Sequence, residues 1–497
     1  MSKLTRRSFV AGATAIPFAM WLAGCDKDGN GGNGGNGGNG GDGGDAGNGA
    51  GKVRYDARSP QGQAMLAIYG QAVGQMQTAI AEGSPTSWVF QWYTHNVRGD
   101  RTKAAELNRV YPSPSPDRQL ADEMWNTCQA HHAGDVEDYF LPWHRMFVYF
   151  FETIIRQVSG NADFTLPYWN YTTSDMAVRG VIPPEFGQAG PLFVGKRNSG
   201  VNAGQPIQGS DQSLLPLDSL DQCTYSPNGA DDGFNQALDF GLHGNVHVLT
   251  GNGQNMGSVP WAAGDPVFWA HHCQIDRLWA SWNAAGRANP DSSSWLDQTF
   301  VFADANGQRV EAKISDFTDI AALGYSYDSL EPVPPCPEPA PGGFVDVEPR
   351  ERAASTGVQL GGAAVRVALP GAGPAGLAEP LGEGRRVYVK VEDLAADVQP
   401  GVVYKVYYGL PEGADPAASD EHLAGTFNFF GAVAHGGDED HGAMAGEMPE
   451  RFVSFDVTDI VRRAGEGAGP AAVTIVPAGQ PVAEARPVVG KVSLVEQ

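Results

Sequence analysis

The chain has two different patterns of apolar and polar positions. Between residues 55 and 330, apolar residues recur at helical spacing, and this pattern predicts helices over 64–80, 141–158 and 268–282. Beyond residue 344, β-branched and aromatic residues cluster in short runs between turn residues, at 365–369, 386–391, 402–408 and 452–457. Runs of this kind are typical of an antiparallel β-sandwich. We therefore predict a mainly α, helical-bundle domain with long loops, followed by a C-terminal antiparallel β-sandwich domain.

Three segments fit neither pattern. Residues 1–25 place Arg6 and Arg7 before a short apolar run that ends in Leu-Ala-Gly-Cys, which predicts a twin-arginine export signal with a lipid attached to Cys25. Residues 26–54, rich in Gly and Asn, are predicted to be a flexible tether. Residues 332–343 are rich in proline and predict a stiff linker. The two domains would then span 55–331 and 344–497, in a periplasmic or cell-surface lipoprotein anchored to a membrane through Cys25.

Composition excludes several classes of protein. The chain has 497 residues, and 33 Lys and Arg stand against 57 Asp and Glu, for a net charge of −24. Such an acidic balance argues against nucleic acid as a partner, because phosphate binding needs clustered basic residues. The apolar fraction of 42% is enough to bury a core, so the chain as a whole is not disordered. Cys223 and Cys336 could form a disulfide outside the cytoplasm.

The histidines indicate metal chemistry. Eight of the 11 fall in two groups within the helical domain: His95, His131, His132 and His144, then His243, His247, His271 and His272. His243 and His247 are four residues apart, so they share one helix face and can converge on one metal ion. Gly244 stands where the zinc-protease motif has its glutamate, which excludes that class. Neutral imidazoles without a carboxylate suit zinc or copper, and two groups predict a paired site.

Two longer motifs around these histidines resemble the type 3 copper family of tyrosinases, catechol oxidases and haemocyanins. Residues 140–152, Phe-Leu-Pro-Trp-His-Arg-Met-Phe-Val-Tyr-Phe-Phe-Glu, are similar to that family's copper A signature. Residues 265–276, Asp-Pro-Val-Phe-Trp-Ala-His-His-Cys-Gln-Ile-Asp, are similar to its copper B signature. Residues 422–430 resemble the C-terminal domain of plant polyphenol oxidases, which shields the copper site of the latent enzyme.

The resemblance implies a ligand set for two copper ions. Copper A would be held by His95, by His131 or His132, and by His144, and copper B by His243, His247 and His272. The spacing before the copper A signature departs from the family pattern, and we favour His131 over His132. Cys128 either forms a thioether to His131, as some family members do, or is a buried thiol. His271 is expected to pack beside the site, since adjacent helical side chains point about 100° apart.

Two carboxylates near the site have predicted roles. Asp239 matches the position of a glutamate that positions a water molecule in the plant enzymes, so it is the candidate catalytic residue. Asp276, one turn after His272, is expected to orient Arg277 or a helix end.

The function implied by the resemblance is that of a copper-dependent polyphenol oxidase. It would use dioxygen to convert a small phenolic substrate, an o-diphenol, to an o-quinone, and it would be latent under its C-terminal domain. Monophenol oxidation is left open. The alternatives are a haemocyanin-like dioxygen carrier and a non-catalytic surface protein that binds metal.

Overall fold

The computed structural model describes residues 51–129, 138–336, 348–370, 385–433, 452–464 and 471–497. The predicted export signal with Cys25, nearly all of the tether, most of the proline-rich linker, His131 and His132 lie outside the described residues.

Three long helices form where the sequence predicts them. Helix α1 (Pro60–Thr78) begins after Ser59, whose hydroxyl accepts a hydrogen bond from a first-turn amide. Helix α5 (Phe140–Ser159) ends at Gly160, which has a positive φ of 67° that glycine adopts without strain. Helix α10 (Val267–Ala284) is apolar on most sides and is buried over nearly its whole length. The predictions of helices over 64–80, 141–158 and 268–282 are confirmed.

Shorter helices complete the helical part. They are α2 (Trp88–His95), α3 (Lys103–Val110), α4 (Pro116–Met124), α6 (Pro184–Gly187), α7 (Gly233–Leu238), α8 (Gly244–Thr250), α9 (Val259–Ala262) and α11 (Ser293–Asp297). Between α6 and α7 the chain forms a long ordered loop with short 3₁₀ turns at Val201–Ala203, Gln212–Leu214 and Asp218–Asp221. Cys223, in this loop, forms a disulfide with Cys336 at the start of the linker, as the sequence allows. The linker therefore begins attached to the helical part.

Two small sheets accompany the helices. Strands β2 (Thr299–Ala303) and β3 (Arg309–Lys313) form an antiparallel pair, and β1 (Lys52–Arg54) pairs in parallel with β4 (Tyr325–Tyr327). The predicted tether ran to residue 54, but its last three residues form strand β1. The reason is burial of Arg54, which is fully enclosed and pairs with Glu152 and Asp276.

Asp276 forms the centre of this buried charge network. It accepts hydrogen bonds from Arg145 Nε at 2.5 Å and Tyr325 Oη at 2.7 Å, in addition to Arg54 Nη1 at 3.0 Å. The prediction that Asp276 orients Arg277 is wrong: Arg277 pairs with Glu331 instead, at 2.9 Å. Asp276 therefore fixes α10 to α5 and β1 through partners that are distant in sequence.

The C-terminal part consists of two four-stranded antiparallel sheets that share one apolar core. One has the order β10-β7-β12-β5 and the other β6-β11-β8-β9, so the predicted fold class is confirmed. The strands are β5 (Arg350–Gln359), β6 (Val365–Ala368), β7 (Val387–Ala395), β8 (Tyr404–Tyr408), β9 (Leu423–Phe427), β10 (Phe452–Asp456), β11 (Ala472–Pro477) and β12 (Val488–Glu496), with helix α12 (Thr458–Ala464) after β10.

The two parts exchange side chains across their boundary. Phe430, after β9, is buried in the helical core, and Phe240, after α7, is buried in the core of the sheets. Gln236 Nε2 donates to the Phe452 carbonyl at 2.7 Å, and Lys405 Nζ pairs with Asp211 at 3.1 Å. Residues Ala50–Gln497 accordingly form one compact unit. None of the helices in the described ranges combines the length and apolar character needed to span a bilayer.

Candidate metal centre

Four helices and one π-turn carry the histidines into the helical core. His95 is the last residue of α2, His144 lies in the second turn of α5, and His247 is in the middle of α8. His271 and His272 lie side by side in the first half of α10, while His243 ends a π-turn, Asp239–His243, that joins α7 to α8. The six histidines that the structure describes in these two groups are each at most 2% exposed: His95, His144, His243, His247, His271 and His272.

The first group brings His95, Cys128 and His144 together. One ligand atom from each lies within 4.8 Å of the others. The Cys128 sulfur is 3.7 Å from His144 Nε2, and the Cys128 amide donates to the His95 carbonyl at 3.3 Å. The choice between His131 and His132, and the thioether to His131, fall on residues that are not described and stay predictions.

The second group consists of His243, His247, His271 and His272, whose ligand atoms also lie within 4.8 Å of one another. The rings of His243 and His247 are 4.6 Å apart between centroids, which the four-residue spacing predicts. His271 lies 4.8 Å from the His247 ring and His272 lies 5.1 Å from the His243 ring. Both α10 histidines therefore reach the group, and the assignment of His272 as the ligand remains a prediction.

The two groups face each other directly. The His144 ring stacks on the His272 ring at 4.3 Å between centroids, with the planes 12° apart, and lies 6.3 Å from the His243 ring. Imidazoles from α5 and α10 are therefore in contact across the gap between the groups. This arrangement suits two neighbouring metal ions rather than two separate sites.

Three of the rings are oriented by hydrogen bonds from Nδ1. His144 Nδ1 lies 2.8 Å from the Phe140 carbonyl, His243 Nδ1 lies 3.1 Å from the Asp239 carbonyl, and His247 Nδ1 lies 2.7 Å from the Met256 carbonyl. A carbonyl oxygen can only accept, so each Nδ1 carries the proton. Each Nε2 is then a lone-pair donor available to a metal ion.

The protonation state of the histidines also suits a metal. Burial lowers the pKa of His144, His247, His271 and His272 well below the usual value, and the neighbouring imidazoles lower it further. In the described part of the chain, Nε2 of His247, Nε2 of His271 and both ring nitrogens of His272 have no hydrogen-bond partner. Neutral imidazoles with buried, unpartnered nitrogens are the donor set that copper or zinc requires, so the residues fit the predicted ions.

Asp239 contacts a histidine of the second group. Its Oδ1 lies 3.0 Å from His243 Nδ1, beside the contact from its own carbonyl, and the residue is 3% exposed. Asp239 and His243 are the two ends of the π-turn, and both the carbonyl and the carboxylate of Asp239 lie against the His243 ring. The geometry gives Asp239 an orienting role on His243, whereas its predicted catalytic role is not tested.

Aromatic side chains enclose the site, and one of them comes from the C-terminal sheets. The Phe430 ring stacks on the His247 ring at 4.1 Å between centroids and 9° between planes, and it lies 5.6 Å from the His243 ring. Phe140 and Phe268 line the helical side, with Phe268 4.1 Å from the His272 ring. Sequence reasoning missed Phe430, although the run Phe-Asn-Phe-Phe at 427–430 is a signal. Phe427 and Phe429 alternate into the core of the sheets, and Phe430 is left facing the helical part.

Comparison with known families covers most of the described chain. The common central domain of tyrosinase matches residues 85–229 and 215–285, and the polyphenol oxidase middle domain matches residues 289–335. A domain of unknown function matches residues 352–497. Both histidine groups described above lie within the tyrosinase match.

Among curated proteins, a tyrosinase of Hahella sp. is 34% identical over 54% of this chain and 61% of its own length. Aureusidin synthase of Antirrhinum majus is 29% identical over 46% of this chain and 49% of its own length. A chloroplastic polyphenol oxidase of Vitis vinifera is 29% identical over 48% of this chain and 46% of its own length. The chain thus spans between about half and three fifths of the length of these relatives.

Among solved structures, latent apple tyrosinase superposes with a TM-score of 0.58 at 20% identity, over 89% of this chain and 97% of that one. A latent aurone synthase superposes with a TM-score of 0.58 at 19% identity, over 89% of each chain. At these identities the likeness shows a shared fold, which includes both the helical part and the C-terminal sheets.

Proposed function

We propose, from the match of residues 85–285 to the common central domain of tyrosinase, that the protein is a dicopper oxidase of o-diphenols. It would use dioxygen to convert each diphenol to an o-quinone. His95 and His144, with His131 or His132, would hold one copper ion, and His243, His247 and His272 would hold the other. Curated relatives named tyrosinase, aureusidin synthase and polyphenol oxidase support this class of reaction.

A bound copper pair would supply the two-electron exchange with dioxygen, and the chain supplies its surroundings. The Nδ1 hydrogen bonds of His144, His243 and His247 fix the ring orientations and would leave Nε2 as the atom that binds a metal ion. Phe140 and Phe268 form an apolar wall that excludes bulk water from the histidines. A flat substrate ring would stack on His247, in the place that Phe430 occupies.

The C-terminal sheets would keep the enzyme latent. Phe430 covers the His247 ring and is 3% exposed, so a phenol and this side chain would compete for one position. The solved relatives of the same fold are described as latent enzymes, which supports this proposal. Cys336 is joined to Cys223 in the helical part by a disulfide. A cut in the linker beyond Cys336 would therefore leave no covalent bond between the sheets and the helical part.

The observation that carries the proposal is the direct contact between the two histidine groups, with His144 stacked on His272. The test is oxygen uptake by the copper-loaded full chain with catechol and with a monophenol, alongside metal analysis and a zinc-loaded control. We expect about two copper ions per chain and quinone formation from catechol. Reversible oxygen binding without quinone would favour a dioxygen carrier, and a chain that binds no copper would favour a non-catalytic protein.

Latency has its own test. A specific protease site placed between residues 340 and 341 allows the linker to be cut after purification. We expect diphenol turnover to rise after the cut, and unchanged turnover would contradict latency.

We also propose export by the twin-arginine route and anchoring through a lipid on Cys25. Both rest on the motifs in residues 1–25, and the Cys223–Cys336 disulfide supports an oxidising compartment. Cell fractionation of the natural chain and of a Cys25→Ala variant tests the anchor: the variant should leave the membrane fraction, and retention there would contradict it.

A further inference from the structure

Asn428 lies where the C-terminal sheets meet the metal centre. It follows strand β9 by one residue and precedes Phe430 by two, and it is 5% exposed. The residue therefore connects a rigid strand to the ring that covers His247.

The side-chain amide of Asn428 makes hydrogen bonds both to the helical part and to the backbone of Phe430. Its Nδ2 donates to the Phe240 carbonyl at 2.7 Å and lies 3.0 Å from Asn245 Oδ1. Its Oδ1 accepts from the Phe430 amide at 2.9 Å. One side chain thus links the π-turn and α8 of the helical part to the backbone of Phe430.

Gly244 provides the space that this amide occupies. A Cβ built on Gly244 would lie 2.5 Å from both Asn428 Nδ2 and Oδ1, closer than real side chains approach. The backbone of Gly244 is helical, with φ −62° and ψ −36°, so any residue could adopt its conformation. Helix propensity alone would favour alanine over glycine at this position. The close approach of the Asn428 amide is therefore the physical reason why a glycine is needed.

We propose that Asn428, seated against Gly244, is the positioning residue that holds Phe430 over His247 and so keeps the site closed. A side chain at position 244 would displace the Asn428 amide and break its hydrogen bonds to Phe240, Asn245 and Phe430 together. The Phe430 amide would then lose its hydrogen bond to Asn428 Oδ1, which fixes the backbone at Phe430. The link to activity rests on the proposed function, whereas the link to closure does not.

The first test is hydrogen exchange of the amides in residues 423–433 of the full chain, which measures closure without any catalysis. Gly244→Ala and Asn428→Ala should each speed exchange about tenfold or more. Asn428→Asp, which has the same shape but cannot donate to the Phe240 carbonyl, should do the same. Gly253→Ala is the matched control, because a Cβ there meets only Gln399, at an ordinary 3.9 Å.

The double variant Gly244→Ala/Asn428→Gly separates this contact from a general loss of stability. With the amide removed, alanine at 244 has room, so the double variant should exchange no faster than Asn428→Gly alone. Full additivity of the two changes, or exchange in Gly244→Ala that matches Gly253→Ala, would overturn the proposal. Asn428→Ser serves in place of any Asn428 variant whose thermal melt shows that it is not folded.

The second test is oxygen uptake with catechol by the uncut chain. Variants that speed exchange should also raise turnover about tenfold, without proteolysis, and the Gly253→Ala control should not. Faster exchange with no oxidation by any variant, cut or uncut, would leave the positioning role supported and reject the proposed function. Turnover that rises without a change in exchange would reject the positioning role.

Discussion

Replacing Phe430 by alanine should open the site to small diphenols without releasing the C-terminal sheets. In the closed chain the Phe430 ring stacks on His247 at 4.1 Å, so a substrate ring must first displace it. Full burial of a phenyl side chain is worth about 1.5–3 kcal/mol. Since each 1.4 kcal/mol is about a factor of ten, the KM for catechol should fall by about 10- to 100-fold in the variant.

The assay is oxygen uptake by uncut, copper-loaded protein, with catechol and with a diphenol that carries a bulky substituent. The space left by one ring admits catechol but not the larger substrate, so the gain should be greater for catechol. Phe427→Ala is the matched control, because Phe427 stacks on Tyr404 inside the core of the sheets, 5.5 Å away. Both truncations should cost similar stability, about 3–5 kcal/mol.

Two results would refute this reasoning. One is an unchanged KM for catechol in Phe430→Ala at equal copper content. The other is an equal fall in KM for Phe427→Ala, which would mean that the sheets had loosened as a whole and that the ring itself was not the obstacle.

Three further predictions follow from buried groups. His272→Ala should lose one of the two copper ions by metal analysis, whereas His271→Ala should keep both; the reverse result would move the ligand assignment to His271. Asp239→Ala should weaken copper retention by about 10- to 100-fold in chelator competition, and Asp239→Asn, which keeps an acceptor for His243 Nδ1, should retain most of it. Burial raises the pKa of Asp138 from 3.8 to about 6. The folded protein therefore binds this proton more tightly than the unfolded chain does, and the free energy of unfolding falls as pH rises from 3.8 through 6. Relative to the natural chain, Asp138→Asn should therefore gain about 2 kcal/mol in unfolding free energy between pH 4 and pH 8, measured by denaturant titration, and a gain that does not change with pH would contradict the assigned burial.

Features that depend on neighbouring residues were predictable. The helical spacing in α1, α5 and α10 and the clustered β-branched residues of the C-terminal strands are local patterns, and the structure confirms both. The four-residue spacing of His243 and His247 fixes their shared helix face, because helix geometry is the same in every protein. The two signature motifs carried the resemblance to the type 3 copper family for the same reason, since each is a continuous run of residues.

Features that depend on distant residues were not predictable, and only the tertiary structure decided them. Asp276 was expected to orient Arg277 or a helix end, yet it binds Arg54 and Arg145, because a buried carboxylate pairs with the cations that the fold buries beside it. The contact between His144 and His272 joins segments more than a hundred residues apart, and no local pattern encodes the distance between them. Phe430 reaches His247 only because two separately patterned parts pack together. The amino-acid sequence thus determined which residues could bind metal, and packing determined which of them meet and what covers them.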